Sequence, residues 1–134
     1  MTKKDLEQFL IIRGEINQLN EQKELLKQLK TSIKSQIITD LPKGGGTAKL
    51  LEDIMIEIES VIVAIARKSL ELAIQMLKIE NSIENLEPNE RKLIRCKYLK
   101  GMSYTKMERE MSYSARHLRR MHAEILEKIA WKIW

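Results

Sequence analysis

Cysteine is almost missing. Cys96 stands alone among 134 residues, so no intrachain disulfide can form, and a secreted, cross-linked scaffold is excluded. Long apolar runs are missing as well. The longest, "VIVAIA" at 61–66, is far short of the roughly 20 residues that a membrane-spanning helix needs. The opening "MTKKDLEQFLIIRGE" has charges on both sides of a short apolar run, which is not the layout of a signal peptide. A cytoplasmic location and no membrane partner are therefore expected. Aromatics amount to 4%, and glycine and proline together number seven. What remains is dominated by Leu, Ile, Lys and Glu, a palette suited to helices.

Catalytic and metal-binding patterns are also lacking. No carboxylate pair, nucleophile–base set or metal cluster stands out, so an enzyme is not expected. His117 and His122 are five apart with no cysteine or further histidine beside them, which does not make a zinc site. No metal, cofactor or small-molecule substrate is expected. "KGGGT" at 43–47 lacks the spacing of a phosphate-binding loop and follows no strand pattern.

The charge is uneven along the chain. Residues 1–87 carry 12 Lys/Arg and 14 Asp/Glu, while residues 88–134 carry 12 and 5, and the net charge is +5. The basic character belongs to the last third, which points to an anionic partner there, nucleic acid first. The bland alternative is a solvated basic surface.

Two long helices are expected before residue 88. In the first, Phe9, Ile12, Ile16, Leu19, Leu26, Ile33 and Ile37 recur at steps of three, four or seven, the spacing of one apolar stripe. Lys23 and Lys30 interrupt it, and Leu29 is expected to replace Lys30 in contact. "TDLPKGGGTAK" at 39–49 breaks the pattern, with a loop over 40–47 and Thr47 capping the next helix. In the second helix Leu51, Met55, Ile58, Ile62, Ile65, Ser69, Leu72, Met76, Ile79, Ile83 and Leu86 alternate steps of four and three. Met55 and Met76 are expected to fill core space on this seam. A second set, Ile54, Val61, Leu70, Ile74 and Leu77, widens the apolar surface. One partner helix covers one stripe, so two stripes imply two neighbours. The fold expected over 1–87 is a long antiparallel, coiled-coil-like helical hairpin that also self-associates, as a homodimer.

Residues 88–134 begin a second domain. Pro88 suits a first helical turn, with Glu87 or Asn85 before it and Glu90 near the helix N-terminus. Cys96 is expected to be half-buried, and Gly101 to end the helix in left-handed conformation. Ser103 caps a short helix in which Tyr104, Met107 and Met111 face inward and Glu108, Arg109 and Glu110 face out. "SYS" at 112–114 makes a turn, and Ser114 caps a helix over 115–129 whose Leu118, Met121, Ile125 and Ile129 face inward. Two such helices joined by a three-residue turn predict a helix-turn-helix in an all-α protein. The second helix would enter the major groove of double-stranded DNA with its N-terminal residues at base edges. Arg116, His117, Arg119 and Arg120 are the candidate base contacts, because the guanidinium fork can address guanine O6 and N7 together. Lys97, Lys100, Lys106 and Arg109 are the candidate phosphate contacts. His122 would touch phosphate or solvent. Trp131 and Trp134 are expected in core packing or a dimer contact.

"NERKLIRCKYLKGMSYTKMEREMSYSARHLRRMHAEILEKI", residues 89–129, resembles the DNA-binding region four of bacterial sigma factors. Arg95, Tyr98, Gly101, Tyr113, Ser114, Leu118, Met121 and "EILEKI" stand at matching places. The whole chain is similar to small phage and prophage regulators of the RinA/ArpU type. The resemblance implies transcriptional control of phage genes in a bacterial host; whether RNA polymerase is a further partner stays open at this point. Arg116 departs from the acid that sigma factors usually place near this position, so their minus-35 promoter sequence does not carry over as the target. Two other classes compete with this reading: a DNA-packaging protein of the small terminase subunit type, and a helical interaction module that docks on polymerase.

Overall fold

The computed structural model describes residues 1–39 and 45–130, with the backbone alone at 36–39, 45 and 47. Five α-helices account for most of it: α1 (Lys3–Thr39), α2 (Gly45–Ile83), α3 (Pro88–Ile94), α4 (Tyr104–Met111) and α5 (Ala115–Ala130). A π-helical turn, Arg95–Leu99, continues α3. The described residues contain no strand. The protein is all-helical, as its composition predicts.

Side chains at the helix ends explain where each helix starts. Asp5 Oδ2 accepts from the Thr2 N–H and hydroxyl, both at 2.9 Å, and opens α1. That backbone hydrogen bond, above all, holds the Asp5 carboxyl below its ordinary pKa. Glu87 and Glu90 form a reciprocal capping box around Pro88. Ser103 Oγ accepts from the Lys106 N–H at 3.3 Å, and Ser114 Oγ from the His117 N–H at 3.2 Å. Gly101 has φ +68°, where an L side chain would be strained. Its position also lies close to Leu10 and Arg13. Arg13 Nη1 donates to the Leu99 carbonyl at 2.8 Å and so satisfies one of the acceptors freed where the π turn ends.

The interhelical loop is shorter at its C-terminal end than the sequence suggested. The backbone of Gly45, Gly46 and Thr47 already lies inside α2, so that helix starts before the residue expected to precede it. Pro42 and the rest of 40–44 lie outside the described residues, as do Trp131 and Trp134.

The chain divides into two compact units, one of residues 1–13 with 71–134 and the other of residues 14–70. The sequence pattern suggested a boundary at 87/88. The observed division follows a shared core: Leu6 and Phe9 of α1 and Ile79 and Ile83 of α2 are buried with Leu93, Ile94, Met107, Leu118, Ile125 and Ile129. The start of α1 and the end of α2 thus supply apolar surface that the three short helices lack. In the other unit Ile33, Ile54 and Ile58 are buried, with Leu26 and Leu51 packed on them, and Lys68 pairs with Glu15 at 2.5 Å.

The inward stripe of α2 differs from the expected seam. Ile54, Ile58 and Val61 are buried, whereas Met55, Ile62 and Met76 are 44–48% exposed. The two methionines therefore do not fill the core. Residues 54–65 are apolar on almost every side, so periodicity cannot choose between overlapping stripes. Polar partners decide it: Lys68 meets Glu15 in one unit, and in the other Gln75 Nε2 donates to the Asp5 carbonyl at 2.7 Å. On α1, Leu29 is exposed and Lys30 half-buried. The lysine stem stays on the stripe and Leu29 does not replace it.

Candidate nucleic-acid interface

Helix α5 has one apolar side. Leu118, Ile125 and Ile129 are at most 1% exposed. At about 100° per residue, Arg116 and Arg120 each point roughly 160° away from Leu118, and His117 and Arg119 lie roughly 100° to either side. All four are exposed. No acid occupies α5 before Glu124. Arg116 and Arg120 form no ion pair among the described residues.

The start of α5 is held from α4. Glu108 Oε1 accepts the Ala115 N–H at 2.6 Å, joining Ser114 in satisfying the free N–H groups of the first turn. Glu108 is accordingly half-buried and does not face out as its spacing suggested. Ser112 makes the turn with φ +58°. The far end of α5 is tied to α3, where Lys128 Nζ donates to Glu90 Oε2 at 2.7 Å. Burial raises the Glu90 pKa, but the hydrogen bonds from Lys128 and Glu87 outweigh it and the net shift is downward.

The flanks of α5 are engaged differently. On one side His117 packs against Tyr113, ring centroids 4.9 Å apart, and Asn89 Nδ2 donates to the Tyr113 hydroxyl at 3.0 Å. On the other side the Arg119 guanidinium lies 4.8 Å from the Tyr104 ring centroid. The Lys97 ammonium lies 4.5 Å from the same ring and 5.6 Å from that of Tyr98. Burial first, then Lys3 and Arg119, depress the Lys97 pKa, with Glu7 opposing. Burial lifts the Tyr104 pKa against the opposing Arg119 charge.

The structure thus brings Lys97 together with Arg119, through Tyr104. Lys100, Lys106 and Arg109 are exposed, and no described contact joins them to the α5 cations. Tyr104, Tyr113, Glu108 and Lys3 belong to the site and were not among its sequence candidates. Tyr104 was expected only on the inward face of the short helix and Tyr113 only in the turn, so neither carried a signal of its place beside the cations.

His122 is the clearest departure. It is 7% exposed and its Nε2 lies 2.5 Å from the Tyr98 hydroxyl. Burial, then Lys97 and Lys3, lower its pKa to about 4. Burial also pushes the Tyr98 hydroxyl well above its usual pKa, so that hydroxyl donates and the neutral imidazole accepts. His122 therefore contacts neither phosphate nor bulk solvent. At 2% exposure, Cys96 is buried rather than half-buried. The described residues hold no group of three or more His, Cys, Asp or Glu placed to bind a metal ion. None of the described helices is long and apolar enough to cross a membrane.

No protein-family model matches the chain, and no curated protein or solved structure is found similar to it.

Proposed function

We propose that this chain is a sequence-specific regulator that binds double-stranded DNA through α4 and α5, used as a helix-turn-helix. The observation that carries the reading is the side of α5 opposite Leu118, where Arg116 and Arg120 are exposed without a carboxylate partner. A guanidinium fork on the first two turns of a docked helix suits guanine edges in the major groove. Docking is supplied by the buried apolar side and by the tether at each end of the helix. The likeness of residues 89–129 to sigma region four supports the same use of the two helices, and the RinA/ArpU resemblance makes phage gene control the setting.

In this reading α1 and α2 form an antiparallel hairpin whose outer side pairs two copies of the chain. On α2, Ile56, Val63 and Leu70 recur every seven residues, as do Met55 and Ile62 beside them, and these five are 44–64% exposed. A heptad stripe of that kind suits a second helical surface better than water. A dimer would carry two reading heads, matching an operator with two half-sites.

Selection of bound duplexes from a random pool tests the proposal. The wild-type chain is expected to enrich one sequence, and the Arg116→Ala, Arg120→Ala double variant to retain weak binding but lose the preference. Each bidentate contact is worth about 1–3 kcal/mol of discrimination. A wild-type chain that binds no duplex even at low salt refutes the reading and favours a protein-docking role for the basic helix.

A further inference from the structure

The cations on one flank of α5 outnumber the acids beside them and form no ion pair among the described residues. Lys97 and Arg119 both approach the Tyr104 ring, at 4.5 and 4.8 Å, and Lys3 is close enough to act on Lys97. None of the three forms an ion pair among the described residues. Glu7, which lines the same cleft as Lys3 and Lys97, is the one acid acting on Lys97, and it forms no ion pair with either among the described residues. Elsewhere in the same unit cations do find carboxylates: Arg95 grips Glu80 at 2.7 and 3.0 Å, and Lys128 holds Glu90 at 2.7 Å.

Two like charges around one ring repel each other. The ring attracts each of them only weakly at an exposed site. Their mutual repulsion is screened less where the surface is partly dehydrated than it would be in open water. The arrangement is therefore incomplete electrostatically, and an anion resting between the two side chains would complete it. Lys97, held below its ordinary pKa by burial and by its cationic neighbours, would regain stability in its charged form.

We infer that Lys97 and Arg119, set on the Tyr104 ring with Lys3 beside them, form one seat for a single backbone phosphate of DNA. The inference rests on the duplex-binding reading and sharpens it. Arg119 leaves the set of base contacts and becomes a backbone clamp, and the base edges fall to Arg116 and Arg120. Its guanidinium lies on the flank of α5, over α4, not at the outward edge. Lys3 brings the start of α1 to the same phosphate, so the N-terminal residues take part in binding. Tyr104 is a positioning residue that aims both cations.

The test is a fluorescence-anisotropy titration with the selected duplex and with an unrelated one across a range of salt concentrations. Wild type is compared with Lys97→Gln, Arg119→Gln, the double variant, Tyr104→Phe and Tyr104→Leu, each checked for helicity and melting temperature. Each phosphate neutralised contributes about 0.9 to the slope of log affinity against log salt. Both cation variants are expected to bind both duplexes about tenfold more weakly, in line with loss of one charge-assisted bond. The double variant should lower the slope by about 0.9, one phosphate, and not by about 1.8. Tyr104→Phe should bind like wild type and Tyr104→Leu like Arg119→Gln, since only the aromatic face aims the cations.

A loss of about 1.8 in slope would mean two separate phosphates and would overturn the single seat. An unchanged slope with an altered sequence preference for Arg119→Gln would return that residue to the bases and overturn the assignment. Either result leaves DNA binding itself standing. Failure of the wild type to bind either duplex would instead remove the reading on which the seat depends, and the seat with it.

Discussion

Lowering the pH should weaken the fold through His122. The imidazole is buried against Tyr98, with Lys97 and Lys3 as its charged neighbours, and its pKa falls from 6.5 to about 4 in the folded chain. Above pH 6.5 the ring is neutral in both the folded and unfolded states, and its full contribution to stability is present. Between about 6.5 and 4 the unfolded chain takes up a proton that the folded chain refuses, so stability falls as the pH falls. Below about 4 both states are protonated and the loss is complete. Roughly two and a half pH units at about 1.4 kcal/mol each give an upper bound of about 3.5 kcal/mol, and solvent screening reduces the expected loss to about 2 kcal/mol. Asp5, Glu80 and Glu90 are shifted downward from 3.8, 4.5 and 4.5, so the stability they add fades as the pH falls through those values and does so equally in the variant below. The comparison is with His122→Gln, whose amide oxygen can still accept from Tyr98 but does not titrate. Urea unfolding followed by circular dichroism at pH 7 and pH 4.5 should show wild type losing about 2 kcal/mol more than the variant. Parallel losses would refute the buried, neutral histidine and the hydrogen bond assigned to it.

Two further changes probe the mounting of α5 and the pairing of chains. Glu108→Ala removes the acceptor of the Ala115 N–H and should cost about 1 kcal/mol in urea unfolding, while a variant as stable as wild type would mean that Ser114 caps the helix unaided. Ile62→Asp with Val63→Asp places charges on the exposed heptad stripe of α2 and should convert a dimer to a monomer in sedimentation velocity, with helicity retained. A wild-type monomer, or a variant that remains dimeric, rules out that stripe as the pairing surface.

Much of the helix framework was legible because capping and helix-breaking chemistry is local. Pro88 with Glu87 and Glu90, Gly101, Ser103 and Ser114 each mark a boundary through groups only a few residues apart. The exposed arginines of α5 could also be read, since Leu118, Ile125 and Ile129 define the opposite side by spacing alone. The inward stripe of α2 could not. Its middle is apolar nearly all round, and the choice falls to partners far away in sequence, such as Glu15 for Lys68. The π turn at Arg95–Leu99, with Arg13 reaching the Leu99 carbonyl, has no local signature either.

The sequence by itself determined an all-helical chain, the ends of its short helices and the arginine-bearing edge of α5, because propensity, capping and periodicity act over one or two turns. Tertiary structure alone decided the rest. It drew residues 1–13 into the unit with α3, α4 and α5, turned Glu108 into a cap, buried His122 on Tyr98, and gathered Lys97 and Arg119 at Tyr104. Each of these depends on which surfaces leave water together, and that is settled by packing between residues that no short window of sequence contains.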